Sequence, residues 1–180
     1  RCGDGFIQPG IGETCDDGNA LNDGFCDASC ARRCNVAGLT GYDRATLHGD
    51  HCYLTRTTPE TWVAARNRCR SIAISAGGGG PAELASIGDG MENDFAALEG
   101  NRGSVARIWI GLSDAASEGV FTWLDGSSLS FTNWAGGEPN GGVAENCVYV
   151  STNMGDAAYG RWIDAACTDT LAAICEYRWP

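Results

Sequence analysis

Ten cysteines in a chain of 180 residues constrain this sequence more than any other feature. They stand at positions 2, 15, 26, 30, 34, 52, 69, 147, 167 and 175, a dense cluster followed by a sparse set, with no Cys-x-x-Cys pair. An even count in that pattern reads as a disulfide framework, and so as a secreted or cell-surface protein, because reducing compartments keep thiols free. Zinc held by Cys26, Cys30 and Cys34 is the competing reading, but zinc sites favour shorter paired spacings. The first residues show neither a basic nor an apolar leader pattern, so any signal peptide is expected to have been removed or left out. Charge narrows the partners. With 23 Asp and Glu against 12 basic residues, all of them arginine, the net charge is −11. Such a surface repels phosphate backbones and anionic lipid, which argues against nucleic acid and membrane surfaces and favours divalent cations. No apolar run is long enough to cross a bilayer.

Composition divides the chain in two. Residues 1–33 are acidic, glycine-rich and poor in apolar side chains, so disulfides or ions, not burial, must hold them together. Residues 34–180 carry mixed α and β patterning. Thr58-Pro59-Glu60 predicts a helix start, with Trp62, Ala65, Cys69 and Ile72 on one face through Ser71. Gly77 to Gly80, followed by Pro81, ends it. Residues 84–87 predict a short strand, and a second helix follows with Met91, Phe95 and Leu98 on one face. Further strands are predicted at 107–112, 120–124 up to an Asp125-Gly126 turn, 147–151, 160–164 and 171–177. Residues 129–145, rich in Gly and Asn with no periodicity, form a loop long enough to be functional.

Two stretches resemble known families. Cys2-Gly-Asp-Gly, Gly12-Glu13-Thr-Cys15-Asp16-Asp17-Gly18-Asn19 and Asp23-Gly24-Phe25-Cys26 up to Cys30 resemble the myxococcus cysteine-rich repeat of secreted bacterial proteins, in a single copy. Cys2, Cys15, Cys26 and Cys30 allow three pairings, all open. Farther on come Cys52-Tyr53, Trp62, Cys69, Leu84-Ala85-Ser86-Ile87, Trp109-Ile110-Gly111-Leu112, Asn133-Trp134, Glu138-Pro139-Asn140, Glu145-Asn146-Cys147, Trp162-Ile163-Asp164, Cys167 and Cys175. In that order they resemble the C-type lectin-like domain. The resemblance implies an α+β fold of two antiparallel sheets, two helices and a long ligand loop. It also implies the bridges Cys69–Cys175 and Cys147–Cys167, and Cys34–Cys52 as the extra bridge of the long form.

The same resemblance implies a calcium site on Glu138, Asn140, Glu145 and Asp164, with Pro139 cis. Three carboxylates and an amide suit Ca²⁺, which takes six to eight oxygen ligands in flexible geometry. Positions left open on the ion can accept vicinal sugar hydroxyls, which also donate to the carboxylates and accept from the amide. The Glu-Pro-Asn triplet implies mannose-type glycans as partners. One departure stands out: the family's Trp-Asn-Asp reads Trp162-Ile163-Asp164, and isoleucine coordinates nothing. The expected function is therefore a non-catalytic, calcium-dependent lectin gaining avidity through multivalent assembly. The alternative is the same fold as a protein-interaction module, with calcium structural or absent.

Other candidates are weaker. Asp114 and Glu118 fit a second calcium site of the family, but its remaining partners fall on Gly141 and Asn146. Asp16, Asp17, Asn19 and Asp23 could cage an ion or serve as turn residues. His48 and His51 read as exposed loop histidines. Ser127, Ser128 and Ser130 have no nucleophile setting. Glu138 and Glu145 as a glycosidase pair would need one carboxyl protonated, which a calcium ion opposes. Trp109, Trp123 and Trp162 read as core; Trp134 is the tryptophan expected near a ligand.

Overall fold

A computed structural model describes residues 6, 8–15, 29, 34, 41–72 and 81–178. The acidic cluster from Asp16 to Asp23, Cys2, Cys26, Cys30 and the glycine run at 77–80 lie outside the described residues.

The hydrophobic runs become strands because both faces of the sheet are covered. In chain order the elements are β1 (Arg44–His48), β2 (His51–Thr61), α1 (Trp62–Arg70), β3 (Glu83–Leu84), α2 (Gly90–Arg102), β4 (Arg107–Ser113), β5 (Thr122–Trp123), β6 (Cys147–Ser151), β7 (Trp162–Ala165) and β8 (Thr170–Arg178). Along β4, Ile108 and Ile110 pack on the side of Ala96 and Ala97 from α2, while Trp109 packs on the side of Trp62, Ala65 and Cys69 from α1. A strand buried on both faces has no polar alternation, which is why Ile108-Trp-Ile-Gly-Leu reads as a continuous apolar run.

The expected two antiparallel sheets are present as two halves, β1-β2-β8 with β3 and β5-β4-β6-β7. A short parallel pairing, Ile108 with Ala172 and Trp109 with Ala173, joins them into one eight-stranded mixed sheet. The bridges Cys34–Cys52, Cys69–Cys175 and Cys147–Cys167 are all formed. Cys15 is also disulfide-bonded. Cys69–Cys175 ties α1 to β8, and Cys147–Cys167 ties the start of β6 to the turn before β8.

Three local expectations are corrected. The first helix begins at Trp62, not near Thr58, and its cap is Thr61, whose hydroxyl accepts from Ala64 N at 3.3 Å. Residues 58–61 belong to β2, which stays paired with β8 through Thr61–Thr170. The pairing is irregular between Arg56 and Glu60, where Pro59 has no N–H to contribute. The predicted strand at 84–87 shrinks to Glu83–Leu84. On α2, Met91 is 74% exposed; the buried face is Asn93, Ala96, Ala97 and Gly100. Small side chains win there because the helix lies close on the sheet. A Cβ at Gly100 would meet Thr152 Cγ2 at 2.5 Å.

Three of the four buried indoles, those of Trp62, Trp109 and Trp162, donate their N–H groups within the core. Trp62 Nε1 donates to Ile110 O at 2.8 Å, Trp109 Nε1 to Glu60 O at 3.1 Å and Trp162 Nε1 to Asn93 Oδ1 at 2.7 Å. Asn93 is thus buried to serve the sheet.

Candidate functional site

The stretch between β5 and β6 has no strand or α-helix, yet it is pinned at several points. Trp162 N donates to Asn133 O and Ala135 N to Trp162 O, both at 2.9 Å, so Trp134 bridges β7 in parallel. Asn133 Nδ2 donates to Gly160 O at 2.7 Å. The Trp134 ring packs edge-on against Phe121 and Trp162, with centroids 4.9 and 5.8 Å away. Trp134 therefore anchors the loop. The turn after it brings Glu138 N to Ala135 O at 3.1 Å, and the Glu138–Pro139 peptide is cis.

Beyond the proline the chain folds over the edge of β7. Asp164, only 3% exposed, accepts from Asn140 N at 3.1 and 3.2 Å and from Gly141 N at 3.0 Å. Its place is set by the register, Val148 opposite Asp164 and Cys147 opposite Ala165, one step from the Cys147–Cys167 bridge. Glu145, which follows a short 3₁₀ turn (Gly142–Ala144), lays its side chain against the Cα of Gly141. A Cβ at position 141 would collide with that side chain, so a glycine is required there.

Glu138 and Asp164 are thus brought together beside the Asn140 segment, with Glu145 near enough for its charge to act on Glu138. Partial burial, then a hydrogen bond with Asp164 and the charges of Asp164 and Glu145, push the Glu138 carboxyl up to about 7. Glu138 Oε2 is shielded from solvent and has no hydrogen-bond partner. Like charges crowded around an unpartnered oxygen are stabilised by a cation, and oxygen donors of this kind suit Ca²⁺. Ile163 lies half-buried opposite Tyr149 and packs against the α1-side core. Ile163 directly precedes Asp164 on β7 and carries no oxygen donor.

Beside this group, Asp114 is 3% exposed, with Oδ2 accepting from Gly119 N at 2.9 Å and Oδ1 unpartnered. Glu118 reaches toward Gly142. Ser127 caps the turn by donating its hydroxyl to Asp125 Oδ1 at 2.6 Å. The histidines do not match the expectation of exposed loop residues. His48 and His51 face each other across the β1–β2 turn, and His48 stacks on Phe95 at 4.3 Å. His51 Nδ1 lies 2.7 Å from Glu176 Oε1 and 3.8 Å from Glu92 Oε1. No motif signals this group, since its members come from three separate elements.

The model of the lectin C-type domain family matches residues 58–177. Human tetranectin is 35% identical over 70% of this chain, which spans 59% of that protein's length. The alpha-N-acetylgalactosamine-specific lectin of Patiria pectinifera is 32% identical, over 84% of this chain and 86% of its own. Among solved structures, the cow C-type carbohydrate-recognition domain of CD23, determined in the presence of a GlcNAc2Man3 oligosaccharide, superposes with a TM-score of 0.63. It is 30% identical and covers 77% of this chain and 95% of its own.

Proposed function

The chain belongs to the C-type lectin domain family, and from that premise we propose that it is a secreted or cell-surface, calcium-dependent, carbohydrate-binding domain without catalytic activity. The observation that carries this reading is the pairing of Glu138 with Asp164 within reach of the charge of Glu145, with one Glu138 oxygen shielded and without a hydrogen-bond partner. Glu138, Asn140, Glu145 and Asp164 would hold the ion, which when bound supplies positive charge and open coordination positions for hydroxyl oxygens. The chain's own groups do the rest. Carboxylate oxygens of Glu138 and Glu145 accept hydroxyl protons, and the Asn140 amide donates to hydroxyl oxygens. Asp164 fixes the backbone of Asn140 and Gly141, so these groups are held in place before a ligand arrives. The Glu138-Pro139-Asn140 triplet turns the reading toward mannose-type sugars, whereas the starfish relative is named for N-acetylgalactosamine. Three disulfides support an oxidising location, and no helix among the described residues is long and apolar enough to cross a membrane. Residues 1–33 are proposed as a separate cysteine-rich unit on the sequence pattern alone.

Ile163 supports a second reading, a protein-binding module of the same fold with calcium structural or absent, because it replaces a side-chain donor with packing. Calorimetric titration with Ca²⁺, then a monosaccharide panel with and without chelator, separates the two. Calcium-dependent binding of mannose over galactose is the expected result. Calcium uptake without any sugar binding would favour the protein-binding module, and galactose preference would overturn the mannose assignment.

A further inference from the structure

We propose that His51, Glu92 and Glu176 form a separate cation site for a borderline-soft transition metal such as Zn²⁺. The inference does not depend on the lectin loop, with which it shares no residue. One ligand atom from each of the three lies within 4.8 Å of the other two. They come from the first residue of β2, the first turn of α2 and the end of β8, so the group exists only in the folded chain.

One imidazole and two carboxylates distinguish this group from an acidic surface patch. Nitrogen with oxygen suits Zn²⁺ over Ca²⁺, and three protein ligands leave a fourth position for water. The His51 side chain is 30% exposed, so that position is open to solvent, while Glu176 is 4% exposed. The second oxygen of each carboxylate is already occupied. Gly88 N donates to Glu92 Oε2 at 2.6 Å, and Ser86 donates to Glu176 Oε2 from its backbone N at 3.0 Å and its hydroxyl at 3.1 Å. Oε1 of each carboxylate faces His51 Nδ1. The Tyr53 hydroxyl donates to Glu92 Oε1, and Arg178 Nε donates to Glu176 Oε1 at 2.6 Å. Such outer contacts orient metal ligands and tune them. Arg178 also pairs with Asp125 at 3.1 Å. Three carboxylates and one guanidinium therefore leave this cluster two charges negative when the imidazole is neutral, and one divalent ion balances it.

The test titrates ZnCl2 into the full chain at saturating CaCl2, so that the loop carboxylates are already engaged. One Zn²⁺ per chain is expected, with micromolar or tighter affinity, and CoCl2 in its place should give the visible absorption of four- or five-coordinate Co²⁺. His51→Ala should weaken uptake at least a hundredfold and Glu92→Gln at least tenfold, while His48→Ala leaves it unchanged. No saturable uptake, or uptake that survives His51→Ala, would overturn the site. If His51→Ala loses its native circular dichroism, Glu92→Gln decides alone: unchanged affinity in that variant rejects the proposal.

Discussion

Glu138 behaves unlike an ordinary carboxylate because it is partly buried and its neighbours are also acids. With its carboxyl raised to about 7, the metal-free fold holds a proton there that the unfolded chain releases near 4.5. Metal-free stability is therefore lost as pH rises across that window, and calcium must displace the proton to bind. The calcium-induced rise in melting temperature should grow from pH 5 to pH 8; a rise independent of pH would detach the ion from this carboxyl. Glu138→Gln should remove most of the rise, yet leave the melting temperature in chelator equal or higher at pH 8, since a repelling charge has gone. Position 163 is the second residue-scale test. Ile163→Asn gives up apolar packing beside Tyr149, at a cost of about 1 kcal/mol in chelator, for a donor next to the acidic group. Calcium affinity should tighten several-fold, and an unchanged Kd would mean that a side chain at this position does not reach the ion. The carboxylates and the cis Glu138–Pro139 bond were legible in the sequence through the triplet. The raised Glu138 was not, because its causes, burial first and then Asp164, exist only once the loop is folded against β7.

Elements here are seated by small residues and by ion pairs. Helix α2 approaches the sheet through Gly100, so Gly100→Ala should cost about 1–3 kcal/mol in a denaturant melt, and Thr152→Ser in the same chain should recover part of it. No loss would mean the helix rides farther from β6 than the contact implies. Its buried Glu99 pairs with Arg44 at 3.4 Å and Arg102 at 2.8 Å, tying α2 to the β1–β2 hairpin. A second tie is His51, whose pKa is raised to about 9 by hydrogen bonds to Glu176 and Glu92 acting against burial. In Glu92, burial pushes the pKa up, but bonds from His51, Gly88 N and Tyr53 outweigh it and hold the carboxyl below its ordinary value. In chelated protein the His51 contribution is full below about 6.5 and is lost as pH rises through about 9. The Glu92 contribution is present above the ordinary carboxylate range and lost as pH falls below it. His51→Gln should flatten the alkaline limb of stability against pH; an unaltered limb would remove the ion pair from the account. Sequence periodicity missed the seating of α2 because apolar Met91 and Leu98 scored above the glycine and alanines that close packing selects.

At the scale of the molecule, the Cys69–Cys175 bridge spans 106 residues and encloses most of the described residues. Loop-closure entropy puts its contribution at about 5 kcal/mol, so the double Cys→Ala variant should be unfolded or marginal at 37 °C, and a near-native melting temperature would refute that estimate. The sequence by itself determined which stretches could be strands: β4, β6 and β8 are apolar runs that only a sheet covered on both faces can absorb. It also determined the loop carrying the acidic group, because a Gly- and Asn-rich stretch with no period does not form a strand of its own. Only the tertiary structure decided that Thr58-Pro59-Glu60 stays in β2 instead of opening α1, since pairing with β8 outweighs a local capping preference. The tertiary structure likewise made His51 a partner of Glu92 and Glu176. Local patterns report what a segment can bury, but a charged group's environment is set by residues distant in the chain, whose approach depends on strand order and helix docking.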